Sequence, residues 1–215
     1  MNQSLTPRQI RSLENIDRLV KTAIEMFRED GYDAVTIDDV CARCGLSKGV
    51  FYYRFHSKED LVSYAHKLFC DCYVESRVVY DEAVPLRDQL RDYLWAQFCF
   101  SVSFGKTLIA RGLQGLIGAT DQMRRGADPR VKDGGQEESA YSGRLELLLV
   151  ERGVRSGAFR GDPTAEDAAG ILRSFVLGSR MLWLMHTPVE GEEENAPLTR
   201  GRVESFLTLL LKDED

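Results

Sequence analysis

One short run of basic residues is the part of this sequence best suited to contact a phosphate backbone. Residues 43–58 contain four bases, one histidine and no acid. The four bases are Arg43, Lys48, Arg54 and Lys58. The 215-residue chain has a formal net charge of −6, and its segment 189–215 is strongly acidic. A single basic window in an acidic protein favours docking of one small element on nucleic acid over general polyanion binding.

Patterns typical of catalysis or of a metal centre are weak. The three histidines, at 56, 66 and 186, are scattered, and no HExxH, GxSxG or strand-linked GxGxxG motif is present. Cys41 and Cys44 have the spacing of half a zinc or redox motif, but free cysteine commonly packs as a small hydrophobe. His66 and Cys70 share a helix face, yet two ligands are too few for a closed site. We therefore expect no catalytic residue, no metal site and no cofactor.

The compartment is predicted from cysteine usage and from the absence of export signals. Five cysteines are an odd number in a chain whose N-terminus lacks the apolar core of a signal peptide, so no disulfide framework is expected. No stretch approaches the ~18 apolar residues of a membrane span. The sequence therefore predicts a cytoplasmic protein without a membrane partner.

The elements that must position the basic window are predicted to be helices. Apolar residues recur at threes and fours nearly throughout, which predicts an all-α protein of about nine helices. The expected helices span about 13–30, 37–44, a short third helix after Ser47, 57–83, 86–104, 106–123, 137–155, 164–186 and 198–212. Residues 124–136 are predicted to form a loop.

Residues 36–55 have the pattern of a helix-turn-helix. Thr36 is expected to cap the first helix in a capping box with Asp39, and Gly45 can take the positive φ of the turn. Phe51 can anchor the second helix to the core. The residues left for its outer surface are Ser47, Lys48, Gly49, Tyr52 and Tyr53. The second helix of such a unit lies in the major groove of DNA, with its N-terminal residues at the base edges.

The stretch AIEMFREDGYDAVTIDDVCARCGLSKGVFYYRFHSKEDL, residues 23–61, resembles the tetracycline-repressor (TetR) family of bacterial regulators. The matching features are Phe-x-x-x-Gly-Tyr, a Thr-capped helix, Gly-hydrophobic-Ser-Lys-Gly and Tyr-Tyr-x-Phe-x-Ser-Lys-Glu. The resemblance implies a three-helix DNA-binding domain at 13–73 and a helical ligand-binding and dimerisation bundle at 74–215. It implies DNA contacts at Thr36, Ser47, Lys48, Gly49, Tyr52, Tyr53, Arg54, His56 and Lys58.

The resemblance also implies roles for these residues. Thr36 and Lys58 would hold phosphates at helix N-termini, the Tyr52 hydroxyl would donate to phosphate, and Lys48 and Tyr53 would reach bases. Two positions depart from the family pattern. Arg54 stands where the family usually has His or Tyr, so operator preference does not transfer. Ile16 stands where a base is common, so Arg11 or Arg18 would have to substitute.

The C-terminal part suggests a dimer and a ligand cavity. In the family the last two large helices dimerise as a four-helix bundle, and the residues predicted here for that interface are Gly170, Ser174, Gly178 and Phe206. Their small side chains at intervals of four would allow close helix approach. The residues predicted to line a cavity are Trp95, Phe98, Phe104, Met181 and Trp183, with plain core packing as the alternative.

Together these features predict a homodimeric transcriptional regulator. We expect a repressor that binds a palindromic operator in double-stranded DNA and is released by an apolar or aromatic small molecule. Two alternatives remain open at this point. The first is a helical small-molecule-binding protein with a vestigial DNA head, and the second is a thiol- or metal-responsive sensor on the same fold.

Overall fold

The computed structural model describes residues 6–124 and 141–212, and within them the chain is all-α. The α-helices are α1 (Pro7–Glu29), α2 (Ile37–Cys44), α3 (Lys48–Arg54), α4 (Lys58–Glu75), α5 (Leu86–Phe104), α6 (Lys106–Arg124), α7 (Tyr141–Arg155), α8 (Ala165–Met185) and α9 (Arg200–Leu210). A 3₁₀ turn at Ala196–Leu198 precedes α9. The predicted fold class and helix number are confirmed for these ranges. The loop predicted at 124–136 lies, apart from Arg124, outside them.

Two helix ends differ from the predicted ones. Helix α1 begins at Pro7 rather than near residue 13, because Thr6 and Gln9 form a capping box in which Gln9 Oε1 accepts from the Thr6 N–H at 2.8 Å. Helix α4 ends at Glu75 rather than near residue 83. The Ser76 hydroxyl and the Arg77 guanidinium both donate to the Tyr73 carbonyl, at 2.8 and 3.3 Å, and so satisfy a carbonyl of the last turn.

The described residues divide into two compact units, and the border falls within α4. The N-terminal unit comprises residues 6–67 and 107–124, and the C-terminal unit comprises 68–106 and 141–212. Most of α6 therefore belongs to the unit that contains the helix-turn-helix. The domain ranges predicted from the sequence, 13–73 and 74–215, stay a prediction.

The core of the N-terminal unit is built on one face of α1. The predicted apolar stripe of this helix is buried along its whole length. Its members are Ile16, Leu19, Val20, Ala23, Ile24 and Phe27. Phe51 of α3 and Phe55 pack beside them with ring centroids 5.7 Å apart, and both are 2% exposed or less. This core fixes α3 from one side and leaves its other side in solvent.

The C-terminal unit is built around α5, which is buried along most of its length. One expectation for the neighbouring helix was wrong: Cys72 was placed on the buried stripe of α4, but it is exposed, whereas Cys70 is buried and its thiol donates to Gln97 Oε1 at 3.2 Å. Packing against α5, rather than the internal periodicity of α4, decides which face turns inward.

Helix α8 is apolar but largely uncovered. By length and composition it is the one helix among the described residues that could cross a membrane, and only 28% of its apolar window is buried. Its exposed large apolar side chains are Ile171, Leu177, Met181, Leu182 and Met185. An amphipathic core helix would bury such residues, so this face of α8 is a candidate contact surface.

Candidate nucleic-acid interface

The structure contains the helix-turn-helix predicted from residues 36–55. Helix α2 ends at Gly45, whose φ of +64° lies in the left-handed region that glycine adopts without strain. The Leu46 N–H donates to the Cys41 carbonyl at 2.9 Å, which closes the end of the helix. Helix α3 begins immediately after Ser47, which makes no side-chain capping bond. The turn is thus three residues long, as expected.

The outer face of α3 carries the predicted contact residues. Phe51 is 1% exposed, whereas Tyr52 and Tyr53 are 52% and 63% exposed. The Tyr52 ring meets the Phe51 ring edge-on at 5.2 Å, so it is supported from below while its other side faces solvent. Ser47, Lys48 and Gly49 are exposed at the start of the same helix. The structure therefore presents these residues together on one surface, and their contact with DNA stays a prediction.

Two bases of the basic window already have acidic partners. Lys48 Nζ lies 2.7 Å from Asp38 Oδ1, and Arg43 Nη1 lies 3.4 Å from Glu29 Oε2. The hydrogen bond to Asp38 raises the pKa of Lys48. All four side chains are more than half exposed, so these pairs are weak and a phosphate could displace the carboxylates. A count of charges in residues 43–58 nevertheless overstates the free positive charge of this surface.

Lys58 has structural partners that the sequence did not reveal. Its ammonium donates to the carbonyls of Tyr32 and Val35, both at 2.8 Å, and lies 4.4 Å from the centre of the Tyr32 ring. The Tyr32 hydroxyl in turn donates to Glu59 Oε1 at 2.5 Å. Burial and this bond raise the pKa of Tyr32. Lys58 thus fastens the start of α4 to the segment after α1, and its predicted phosphate contact would use its third N–H.

Thr36 is also engaged within the protein. Its hydroxyl donates to Asp39 Oδ2 at 2.6 Å and accepts from the Asp39 N–H at 3.2 Å, which confirms the predicted capping box. These hydrogen bonds lower the pKa of Asp39, so a carboxylate charge lies at the start of α2. A phosphate bound at Thr36 would have to compete with that carboxylate.

The remaining predicted contacts lie near the end of α3. The Arg54 guanidinium lies 4.9 Å over the Tyr64 ring, which holds this half-buried side chain against α4. His56 is exposed, and its backbone N–H donates to Asp60 Oδ2 at 3.0 Å. Ile16 is 7% exposed and faces the core, while Arg11 and Arg18 on the same helix are exposed. The predicted substitution of Ile16 by one of these arginines is therefore sterically open.

The five residues predicted to line a ligand cavity have different surroundings. Phe98, Phe104 and Trp183 are 2% exposed or less, and their recorded contacts are with other residues: Phe175, Phe69 with Phe100, and Asn195. Trp95 lies beneath the Arg200 guanidinium at 5.1 Å, and Met181 is 44% exposed. These are contacts of ordinary packing for the three buried rings, and the cavity stays a prediction.

The residues predicted for the dimer interface border a groove on α8. Gly170, Ser174 and Gly178 are exposed, and a Cβ added at either glycine would meet nothing within 4 Å. Phe206 of α9 stacks on Phe175 of α8 with centroids 3.9 Å apart. An open groove of about 720 Å³ is lined by Gly170, Ser174, Phe175 and Phe206 together with Glu166, Asp167 and Ile171.

The cysteines of the N-terminal unit are buried. Cys41 and Cys44 are 3% and 7% exposed, and burial raises the pKa of Cys41. Over the described ranges, no group of three or more His, Cys, Asp or Glu side chains is arranged to hold a metal ion. This part of the chain therefore offers no support for the metal-sensor alternative.

Comparison with known proteins places the N-terminal unit in a defined family. The family model for bacterial regulatory proteins of the tetR family matches residues 19–65. The chain is 33% identical over 88 residues to the uncharacterized HTH-type transcriptional regulator YerO of Bacillus subtilis, a match that covers 40% of this chain and 30% of YerO. It is 26% identical over 147 residues to the HTH-type transcriptional repressor KstR2 of Mycolicibacterium smegmatis, which covers 68% of each protein.

Solved structures share the fold over nearly the whole chain. A protein of unknown function from Rhodococcus sp. RHA1 superposes with a TM-score of 0.61 at 17% identity, covering 92% of this chain and 95% of that one. A TetR transcription regulator from Haloarcula marismortui superposes with a TM-score of 0.55 at 17% identity, covering 93% and 100%. Identities this low establish the architecture alone.

Proposed function

Because this chain belongs to the tetR family of bacterial regulatory proteins, we propose that it is a sequence-specific transcriptional regulator, a cytoplasmic repressor that a small-molecule ligand releases from its operator. The observation that supports this most directly is the outer face of α3. A seven-residue helix turns Lys48, Tyr52 and Tyr53 to solvent while Phe51 locks its other side into the core. Exposed aromatic side chains at such a site lack a packing role and suit contact with DNA.

In this proposal α3 enters the major groove. Ser47 and Lys48, at its start, would face base edges, and the Tyr52 hydroxyl would donate to a phosphate. Lys48 would exchange Asp38 for the DNA, since an exposed ion pair contributes little and is screened by salt. Lys58 would act mainly by holding the start of α4 in place, through the two carbonyls that it binds.

The regulator is proposed to act as a homodimer through α8 and α9. Helix α8 exposes Leu177, Met181 and Leu182, each by more than 40%, beside the small residues of its groove. A second copy packed on this face would bury them, and the open space over Gly170 and Gly178 would allow close helix approach. Twofold symmetry would then present two α3 helices to two half-sites of a palindromic operator.

Release by ligand is proposed to operate through α6 and α4. Within the N-terminal unit, Arg111 of α6 donates to Asp33 at 2.8 Å and lies 4.9 Å over the Tyr32 ring. Gly115, one turn further along, lies directly against the backbone of Glu59 at the start of α4. A shift of α6 would therefore move the start of α4, and with it the adjoining α3.

Selection from random duplexes followed by titration at two salt concentrations tests this function. We expect a symmetric motif to be enriched and its binding to weaken as salt rises. Tyr52→Phe should weaken binding without lowering the melting temperature, because the ring that packs on Phe51 remains. Lys48→Ala should weaken binding and alter sequence preference, by about 1–3 kcal/mol if it reads a base. Asp38→Asn should strengthen binding, because it frees Lys48.

Lys212→Ala provides the matched control, because it removes the same charge from an exposed ion pair in the C-terminal unit. It should bind DNA as the parent does. If no symmetric motif is enriched, or if the three variants on α2 and α3 bind like the control, the DNA-binding proposal is wrong. The chain would then be better described as a small-molecule-binding protein with a vestigial DNA head.

A further inference from the structure

A buried arginine in the C-terminal unit has hydrogen-bond donors to spare. Arg180 of α8 is 9% exposed, and its guanidinium faces α5. Nε donates to Ser101 Oγ at 2.8 Å, and Nη2 donates to Gln97 Oε1 at 2.9 Å and to the Gln97 carbonyl at 3.4 Å. A guanidinium has five N–H donors. The two on Nη1 have no acceptor among the residues that the structure describes.

The charge of Arg180 is not balanced by any described side chain. No carboxylate of residues 6–124 or 141–212 forms an ion pair with it. Its titratable neighbours are Cys70 and Tyr93. Burial raises the pKa of Cys70 to about 11 and also raises that of Tyr93, so both groups are neutral at pH 7. Burial lowers the pKa of Arg180 itself, but a guanidinium stays protonated in proteins.

The nearest acid in the same network is already neutralised. Glu146 accepts from the Tyr93 hydroxyl at 3.0 Å, and Tyr93 accepts from the Gln97 amide at 3.3 Å, which links this carboxylate to the surroundings of Arg180. Glu146 is, however, paired with Arg173 at 2.7 Å. The network from Arg173 to Arg180 therefore contains two guanidinium groups and one carboxylate, with one positive charge in excess.

The groups around Arg180 do not require it for their own hydrogen bonds. The Ser101 hydroxyl donates to the Gln97 carbonyl at 2.8 Å, and Gln97 Oε1 accepts from the Cys70 thiol. Both would keep a partner if the guanidinium were absent. A buried, unpaired cation destabilises a fold, so a role in stability does not account for Arg180. A ligand anion would supply the missing charge and the missing acceptors.

We propose that the C-terminal unit binds a small molecule with a carboxylate group, and that the two free N–H groups of Arg180 hold this carboxylate. The inference rests on the proposed function, because it names the chemical class of the regulatory ligand. One negative charge balances the one excess positive charge, whereas a phosphate with a charge near −2 would leave an excess. Trp183, buried one turn further along α8, supports an apolar body for the same molecule.

Calorimetric titration of the full chain with matched probes tests the inference. The probes are decanoate with decanol, and 2-naphthoate with 2-naphthol, so that each pair differs in the carboxylate. Decyl phosphate distinguishes a phosphate ligand from a carboxylate. We expect at least one carboxylate to bind ten times more tightly than its alcohol and more tightly than decyl phosphate. The preference should disappear in Arg180→Met and persist in Arg173→Met, which removes the exposed guanidinium of the same network.

Stability provides an independent measurement. Arg180→Met should melt at the same temperature as the parent or higher, because it removes an unpaired buried charge and strands no acceptor. A lower melting temperature would assign Arg180 a structural role and overturn the inference. The same holds if neither carboxylate is preferred, if decyl phosphate binds best, or if Arg180→Met keeps the preference. Operator binding is measured separately, so DNA binding without carboxylate preference would leave the proposed function intact.

Discussion

Gly115 of α6 is the position at which one added methyl group should disturb the N-terminal unit most. A Cβ built there would lie 2.4 Å from the carbonyl oxygen of Glu59, 2.7 Å from its carbonyl carbon and 3.2 Å from the Asp60 nitrogen. All three are backbone atoms at the start of α4, so no side-chain rotation relieves the contact. Ordinary contacts begin at 3.4 Å, and α6 and α4 would have to separate by about 1 Å.

The same helix offers a matched control one turn earlier. A Cβ at Gly112 would lie 3.7 Å from Ser63 Cα and from Val62 Cγ1, which is ordinary van der Waals contact. Replacing glycine by alanine inside a helix stabilises it by about 1 kcal/mol through propensity, and this gain is common to both positions. The difference between Gly115→Ala and Gly112→Ala therefore isolates the clash, for which overpacking studies indicate about 1–3 kcal/mol.

Thermal unfolding followed by circular dichroism measures this difference. Because the overlap is with backbone, we expect about 2–3 kcal/mol, which corresponds to about 4–12 °C in melting temperature for a chain of this size. Gly112→Ala should melt at or above the parent and Gly115→Ala below it. If the two variants melt together, α6 does not pack on α4 as the structure shows, and the coupling proposed for ligand release loses its basis.

Three further predictions concern other parts of the chain. Gly178→Phe should abolish the dimer in analytical ultracentrifugation while the monomer stays folded, because the exposed position has room for a ring only in the absence of a partner; a variant that remains dimeric would place the interface elsewhere. Cys72, which is exposed, should react with a thiol reagent at pH 7 well before Cys70, whose pKa burial raises to about 11; equal rates would contradict the assigned faces of α4. The capping box should depend on pH. The folded-state pKa of Asp39 is lowered, so its contribution is present above the ordinary aspartate value of about 4 and is lost as pH falls through the folded value. The difference in melting temperature between the parent and Asp39→Asn should therefore shrink between pH 6 and pH 2, and a constant difference would refute this.

Features that depend on neighbours a few residues apart were correctly predicted from the sequence. The capping box of Thr36 and Asp39, the turn at Gly45 and the bounds of α2 all follow from interactions within about four residues. The buried stripe of α1 follows from its 3.6-residue period. The capping box at Thr6 and Gln9 was missed, although its spacing was visible in the sequence.

Features that depend on packing between distant segments could not be read in this way. The apolar spacing that extends past residue 75 favoured a longer α4, yet Val79 is 73% exposed where the helix has ended. The inward face of Cys70 rather than Cys72 is set by α5, which provides Gln97 as its partner. A helical repeat identifies a face, but only the adjoining helix determines where that face ends.

The charges show the same division most clearly. The sequence determined that residues 43–58 are basic, since composition alone establishes this. The tertiary structure decided which charges are free: Lys48 is paired with Asp38 ten residues away, and Lys58 is bound to carbonyls of Tyr32 and Val35. Arg180 was one arginine among many until α5 enclosed it without a counter-charge. Coulombic and hydrogen-bond energies depend on distances in space, which the order of residues along the chain does not specify.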